Sequence, residues 1–151
     1  MIGYDSRADT LAHINAVRDN LETFVSTLLA RGRVHDASKL GPEEKAVFDR
    51  VFPLLEGVSY GSAEWNAVVE QARPALEHHY ACNSHHPEYY GADGVAGMDL
   101  FDVVEMLCDW IAAAKRNPAD GVKLEHNVKL FGIDRQLASI LANTLARWPS
   151  P

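Results

Sequence analysis

The chain has 151 residues, 47% of them hydrophobic, and a formal net charge of −7. That length and apolar content suit one compact domain over residues 1–151 with a core of its own, and the acidic balance excludes the broad Lys/Arg surface that extended nucleic acid requires. Two cysteines, Cys82 and Cys108, are too few for a disulfide framework. With neither a leader nor an apolar run of membrane-spanning length, the sequence predicts a soluble, cytoplasmic protein with Cys108 as an ordinary buried thiol.

From Ser6 to about Ala30 the residues Leu11, Ile14, Val17, Leu21, Phe24, Leu28 and Leu29 recur at helical spacing, and Arg31-Gly32 supplies a basic last turn and a stop. His13 lies at the edge of this stripe. Next comes Val34-His35-Asp36-Ala37-Ser38-Lys39-Leu40, an imidazole followed directly by a carboxylate. Such a pair serves equally as a helix cap or as two ligands of one divalent ion, since neutral His and ionised Asp are common N and O donors.

Gly41-Pro42-Glu43-Glu44 reads as the start of a helix running to about Leu55, with proline and acidic residues suited to a first turn. A loop follows from Gly57, and Ser62 with Glu64 opens the next helix, which Pro74 bends or restarts. Its end carries His78 and His79. The segment Asn83-Ser84-His85-His86-Pro87 terminates it, because the residue before proline is pushed out of helical conformation.

A glycine-containing loop extends to Gly97, and Met98 to Ala114 forms a strongly apolar helix that Asn117-Pro118 stops. On this helix Asp102, Glu105 and Asp109 share a face. Asp102 and Glu105 are expected to face water or to pair with Lys39, Lys115 or Arg33. Asp109 lies deeper in the apolar run, where a carboxylate needs a partner or a metal. Two closing helices, from about Ala119 to Phe131 and from about Asp134 to Arg147, flank Gly132. No strand alternation is evident, and the fold class is all-α.

The order His13, His35-Asp36, clustered histidines and Asp109 resembles the HD-domain superfamily, all-helical metal-dependent phosphohydrolases whose pattern is H, HD and a later D. The blocks Gly32-x-Val34-His35-Asp36-x-Ser38-Lys39, His78-His79-x-x-x-Asn83-x-His85-His86-x-Glu88-Tyr89 and Glu105-Met106-Leu107-Cys108-Asp109-Trp110 are more closely similar to an uncharacterised HD-like family of small bacterial and phage proteins. The resemblance covers roughly residues 10 to 115. It implies one ion held by His13, His35, Asp36 and Asp109. It also implies extra ligands for a second ion from His79 and His86, or from their neighbours His78 and His85; if a second ion is bound, a bridging Asp36 is the natural geometry, since a carboxylate can offer one oxygen to each ion. Several HD nucleotidases carry a glutamate three residues after the Asp, where this chain has Lys39. Lys39 is therefore a candidate phosphate ligand, while Glu43 or Glu44, or an imidazole such as His85, takes the acid–base role.

The sequence accordingly predicts a single HD-like helical domain with one or two divalent ions (Mn, Fe, Co, Mg or Zn), hydrolysing a nucleotide or other small phosphate ester and binding no membrane. Two rival readings use the same residues: an HD-type di-iron oxygenase, and a noncatalytic metal-binding or interaction module.

Overall fold

The computed structural model describes residues 4–115 and 121–149. It is all-helical, with no strand among the described residues. In chain order the elements are α1 (Arg7–Val34), a 3-10 turn (Ala37–Leu40), α2 (Lys45–Val51), a second 3-10 turn (Phe52–Leu55), α3 (Ala63–Glu70), α4 (Arg73–Cys82), a 3-10 run (Pro87–Gly97), α5 (Leu100–Ala114), α6 (Leu124–Leu130) and α7 (Arg135–Ala146). The backbone groups into two units, Met1–His35 and Asp36–Pro151.

The first unit is α1, whose 28 residues end with Arg31 and Arg33 in the last turn and His35 as C-cap. Cations there complement the partial negative charge of the terminal carbonyls.

In the second unit, the helix expected from Gly41 to Leu55 forms only from Lys45, and its last turn tightens into the 3-10 helix containing Pro53. Ser62 accepts a hydrogen bond from Trp65 N and starts α3, and α4 begins afresh with Pro74 in its first turn, where a missing N–H costs nothing. A capping box of Asp99 and Asp102 opens α5, and Asp134 caps α7 by accepting from Gln136 N and Leu137 N. The expected stop at Asn117-Pro118, and the start of the following helix near Ala119, lie outside the described residues. Two apolar clusters form. One packs α2 against α4 through Phe48, Val51, Ala72 and Ala75, with Val68 of α3 against it. The other packs α5, α6 and α7 through Leu107, Ile133 and Leu141, with Trp110 stacked on Phe131. Full burial of side chains such as Phe48 and Leu107 is worth roughly 1.5–3 kcal/mol each. Cys108, expected to be buried, lies instead on the exposed face of α5, because Met106 and Leu107 are the residues this helix turns inward.

No helix among the described residues is long and apolar enough to cross a membrane.

Candidate metal centre

Asp36 has φ of 57°, and it is the only described residue other than glycine with positive φ. Aspartate tolerates this left-handed conformation better than most residues because its short side chain bonds locally. The Ala37–Leu40 turn follows directly, with Lys39 N donating to Asp36 O at 2.9 Å. The same turn brings the Lys39 ammonium to 2.6 Å from Asp36 Oδ2.

The other oxygen of Asp36 faces histidines. Oδ1 stands 3.2 Å from His79 Nε2 and 3.5 Å from His85 Nε2, and His79 Nε2 in turn stands 2.9 Å from His86 Nε2. One donor atom from each of Asp36, His79, His85 and His86 falls within a span of 4.8 Å. Neighbouring ligands held at about 2.1 Å from one ion are separated by about 3.0–3.4 Å; the His79–Asp36 distance falls in this range and the other two lie about 0.1 Å to either side of it. His79 and His85 are 1% and 2% exposed.

Both buried imidazoles are backed by a carboxylate on the opposite nitrogen. His79 Nδ1 lies 3.0 Å from Glu44 Oε2, and His85 Nδ1 lies 3.4 Å from Glu105 Oε1. A carboxylate oxygen only accepts, so each Nδ1 is assigned as the donor. In the neutral ring this leaves Nε2 with a lone pair. Two such lone pairs directed at one carboxylate oxygen repel it unless a proton or a cation lies between them. A carboxylate on the far nitrogen of each buried imidazole is the pairing that accompanies metal-bound histidine.

Glu44 is wholly buried and serves two rings, since His78 Nδ1 stands 2.7 Å from its Oε1. Ser38 Oγ lies 3.1 Å from His79 Nδ1, and Asn83 Nδ2 donates to Ser38 Oγ at 2.8 Å and to His79 O at 2.7 Å. The Phe48 ring meets the His79 ring edge-on at 6.2 Å between centroids, which seats the cluster on the first apolar core.

Burial disfavours the charged form of Asp36, but a proton or cation shared with the His79 and His85 rings, and the Lys39 ammonium on its other oxygen, outweigh it and hold the carboxyl well below the usual range. Burial, reinforced by His85 and His79, pushes His86 down to about 3 despite the opposing charges of Asp109 and Asp36. His86 is thus a neutral ring at physiological pH, the form that donates a lone pair to a metal. Beside it the Tyr80 ring lies 5.0 Å away, and burial followed by the charge of Glu88 raises this phenol to about 12.

Asp36, His79, His85 and His86 are therefore brought together, with Lys39 on the second oxygen of Asp36. Glu44 stands behind His79, whereas Glu43 is exposed. Asp109 lies on α5 within electrostatic reach of His86. His13 lies within α1 and His35 caps it, both in the first unit. Sequence reasoning missed the outer shell. Asp102, expected to face water or a cation, is buried and bonded to hydroxyls, and Glu105 faces His85. The only sequence signal for either was a carboxylate recurring every turn on an otherwise apolar helix.

A family model matches residues 3–147, nearly the whole chain. The chain belongs to DUF5662, a family of unknown function. Neither the curated proteins nor the solved structures contain a match. In this DUF5662 chain the site's chemistry is consequently read from its own residues.

Proposed function

We propose that this protein is a metal-dependent hydrolase of a small phosphate ester, with Asp36, His79, His85 and His86 holding a divalent ion. The observation that carries the reading is the convergence of two imidazole nitrogens, of His79 and His85, on one carboxylate oxygen of Asp36, with His86 Nε2 against His79 Nε2 and the first two rings backed by Glu44 and Glu105. Of the ligands that the HD-domain resemblance implies, this set shares Asp36 with the first ion and draws its histidines from the cluster implied for a second. When bound, a divalent ion would supply Lewis acidity and lower the pKa of water toward neutral. Around it the chain's own groups have separable roles. Glu44 and Glu105 fix the tautomers and orientations of His79 and His85. Lys39, a flexible point charge beside the cluster, offers the counter-charge for a phosphate oxygen. The net charge of −7 disfavours a polyanionic nucleic acid as substrate and leaves a small anion, drawn by the local cation, as the fitting class.

The test is metal analysis of protein purified without added metal, followed by phosphate release from nucleoside monophosphates and a generic phosphomonoester with Mn, Co or Zn. About one equivalent of metal and phosphate release that disappears in Asp36→Asn supports the reading. Absence of metal binding overturns it. Two irons with substrate-dependent oxygen uptake select the oxygenase, and bound metal without either reaction selects a noncatalytic module.

A further inference from the structure

Two of the four donor residues, His85 and His86, sit on a segment that no regular helix holds. α4 ends at Cys82, and the next element is the 3-10 run starting at Pro87. The segment is fastened by its flanks to a single side chain. Ser84 Oγ donates to Asp102 Oδ1 at 2.7 Å, and Tyr90 OH donates to Asp102 Oδ2 at 2.5 Å. One hydroxyl precedes the two imidazoles and the other follows them.

Asp102 is 3% exposed, and a third donor, Asp99 N, reaches its Oδ2 at 3.1 Å. A capping box needs only the backbone bonds between Asp99 and Asp102. The two hydroxyls go beyond that requirement, and they tie the segment to the first turn of α5. One turn along the same face, Glu105 meets His85 Nδ1. α5 thus meets the histidine segment through Asp102 at Ser84 and Tyr90 and through Glu105 at the His85 ring.

We infer that Asp102 is a positioning residue of the metal centre, setting where His85 and His86 stand relative to Asp36 and His79. The inference rests on the metal reading above. Metal ligands need placement to within about 0.5 Å by groups whose own positions are locked, and a buried carboxylate receiving three hydrogen bonds is such a lock. Replacing an outer-shell partner of a metal site typically weakens metal binding 10–100-fold without removing a ligand.

The experiment uses Asp102→Asn, Tyr90→Phe and Ser84→Ala in the full chain, with cobalt(II) as the probe. Affinity is read by competition titration, coordination by the visible ligand-field spectrum, and folding by thermal unfolding of the metal-free protein. The expected result for Asp102→Asn is cobalt affinity about 10–100-fold weaker, with an altered spectrum and unchanged saturation stoichiometry. The two hydroxyl variants should show smaller losses of the same kind while the metal-free protein melts near the wild-type temperature. Tyr90→Phe removes a single hydroxyl and answers the question if Asp102→Asn does not fold. Wild-type affinity and spectrum in folded variants overturn the positioning role while leaving the metal centre standing. Wild-type protein that binds no cobalt overturns the metal centre itself, and the positioning role falls with it.

Discussion

Glu44 and His79 form a buried pair across 35 positions of sequence, with Oε2 of the carboxylate 3.0 Å from Nδ1 of the ring. Neither is more than 1% exposed. Because the carboxylate accepts at Nδ1, Nε2 is the atom turned toward Asp36 and His86, and its role in the cluster follows from the N-cap residue of a different helix. The cost of burying Glu44 is offset by its second bond, to His78.

Glu44→Gln should therefore weaken both the site and the fold. The amide retains one acceptor oxygen and places a donor against a ring nitrogen. Metal affinity is expected to fall about 10–100-fold, and urea denaturation should show a loss of about 1–3 kcal/mol. Unchanged values of both would show that the pair orients nothing.

Asp36→Asn should reduce metal affinity more than about 100-fold, beyond the effect of an outer-shell change, while circular dichroism shows the helices intact. Asparagine is the informative choice, since it tolerates the left-handed backbone at this position and removes only the charge. Wild-type metal content in the folded variant would refute the assignment of Asp36 as ligand.

The His79→Ala/His86→Ala double variant should take bound metal from about one equivalent to near zero, as measured by elemental analysis. A fall from two equivalents to one instead supports a dinuclear centre. The structure bears on this choice, because bridging would require Asp36 Oδ2, and Lys39 Nζ stands 2.6 Å from it. If metal is unaffected but phosphate release is lost, the rings contact substrate.

Lys39→Met should retain metal binding, with affinity equal to or above wild type, because a neighbouring positive charge is removed. Inorganic phosphate, tested as a competitive inhibitor of ester hydrolysis, should bind about tenfold more weakly if Lys39 contacts a phosphate oxygen. Equal inhibition in both proteins would assign Lys39 solely to holding Asp36.

The metal-free protein should lose stability as pH falls. His86 is held at about 3 against 6.5 for a free imidazole. Between those values the unfolded chain binds a proton that the folded chain does not, so stability is greatest above about 6.5 and declines below it, by up to about 1.4 kcal/mol per pH unit. Asp36, whose folded pKa is depressed, adds stability above the ordinary carboxylate range near 3.9 and loses it at lower pH. Urea midpoints of chelated wild type and His86→Gln, compared from pH 7 to pH 4, should diverge with wild type falling more steeply. Parallel curves would show that His86 is not held neutral.

The helices themselves were legible in the sequence because their causes are local. Apolar spacing marks α1 and α5, Ser62 and Pro74 mark the starts of α3 and α4, and the segment Asn83–Pro87 marks the end of α4, which stops at Cys82. The His-Asp dipeptide and the clustered histidines were legible as candidate ligands for the same reason, since residue type and spacing express ligand chemistry directly. The gathering of His79, Asn83 and His86 was visible as i, i+4 and i+7 spacing, although His86 reaches Nε2 of His79 from beyond the helix end.

Only the tertiary structure decided what stands behind these candidate ligands. Glu44 meets His78 and His79 because Phe48 and Val51 pack α2 against Ala75 of α4, and no pattern within either helix names the other as partner. Asp102 holds Ser84 and Tyr90, rather than facing water, because the run Pro87–Gly97, kinked at Gly91 and Gly94, sets the histidine segment against the first turn of α5. Periodicity states which face of a helix is apolar. Which carboxylate backs which imidazole depends on how the apolar faces interlock, a long-range choice made by packing, and the protonation and basicity of Asp36 and His86 follow from that choice.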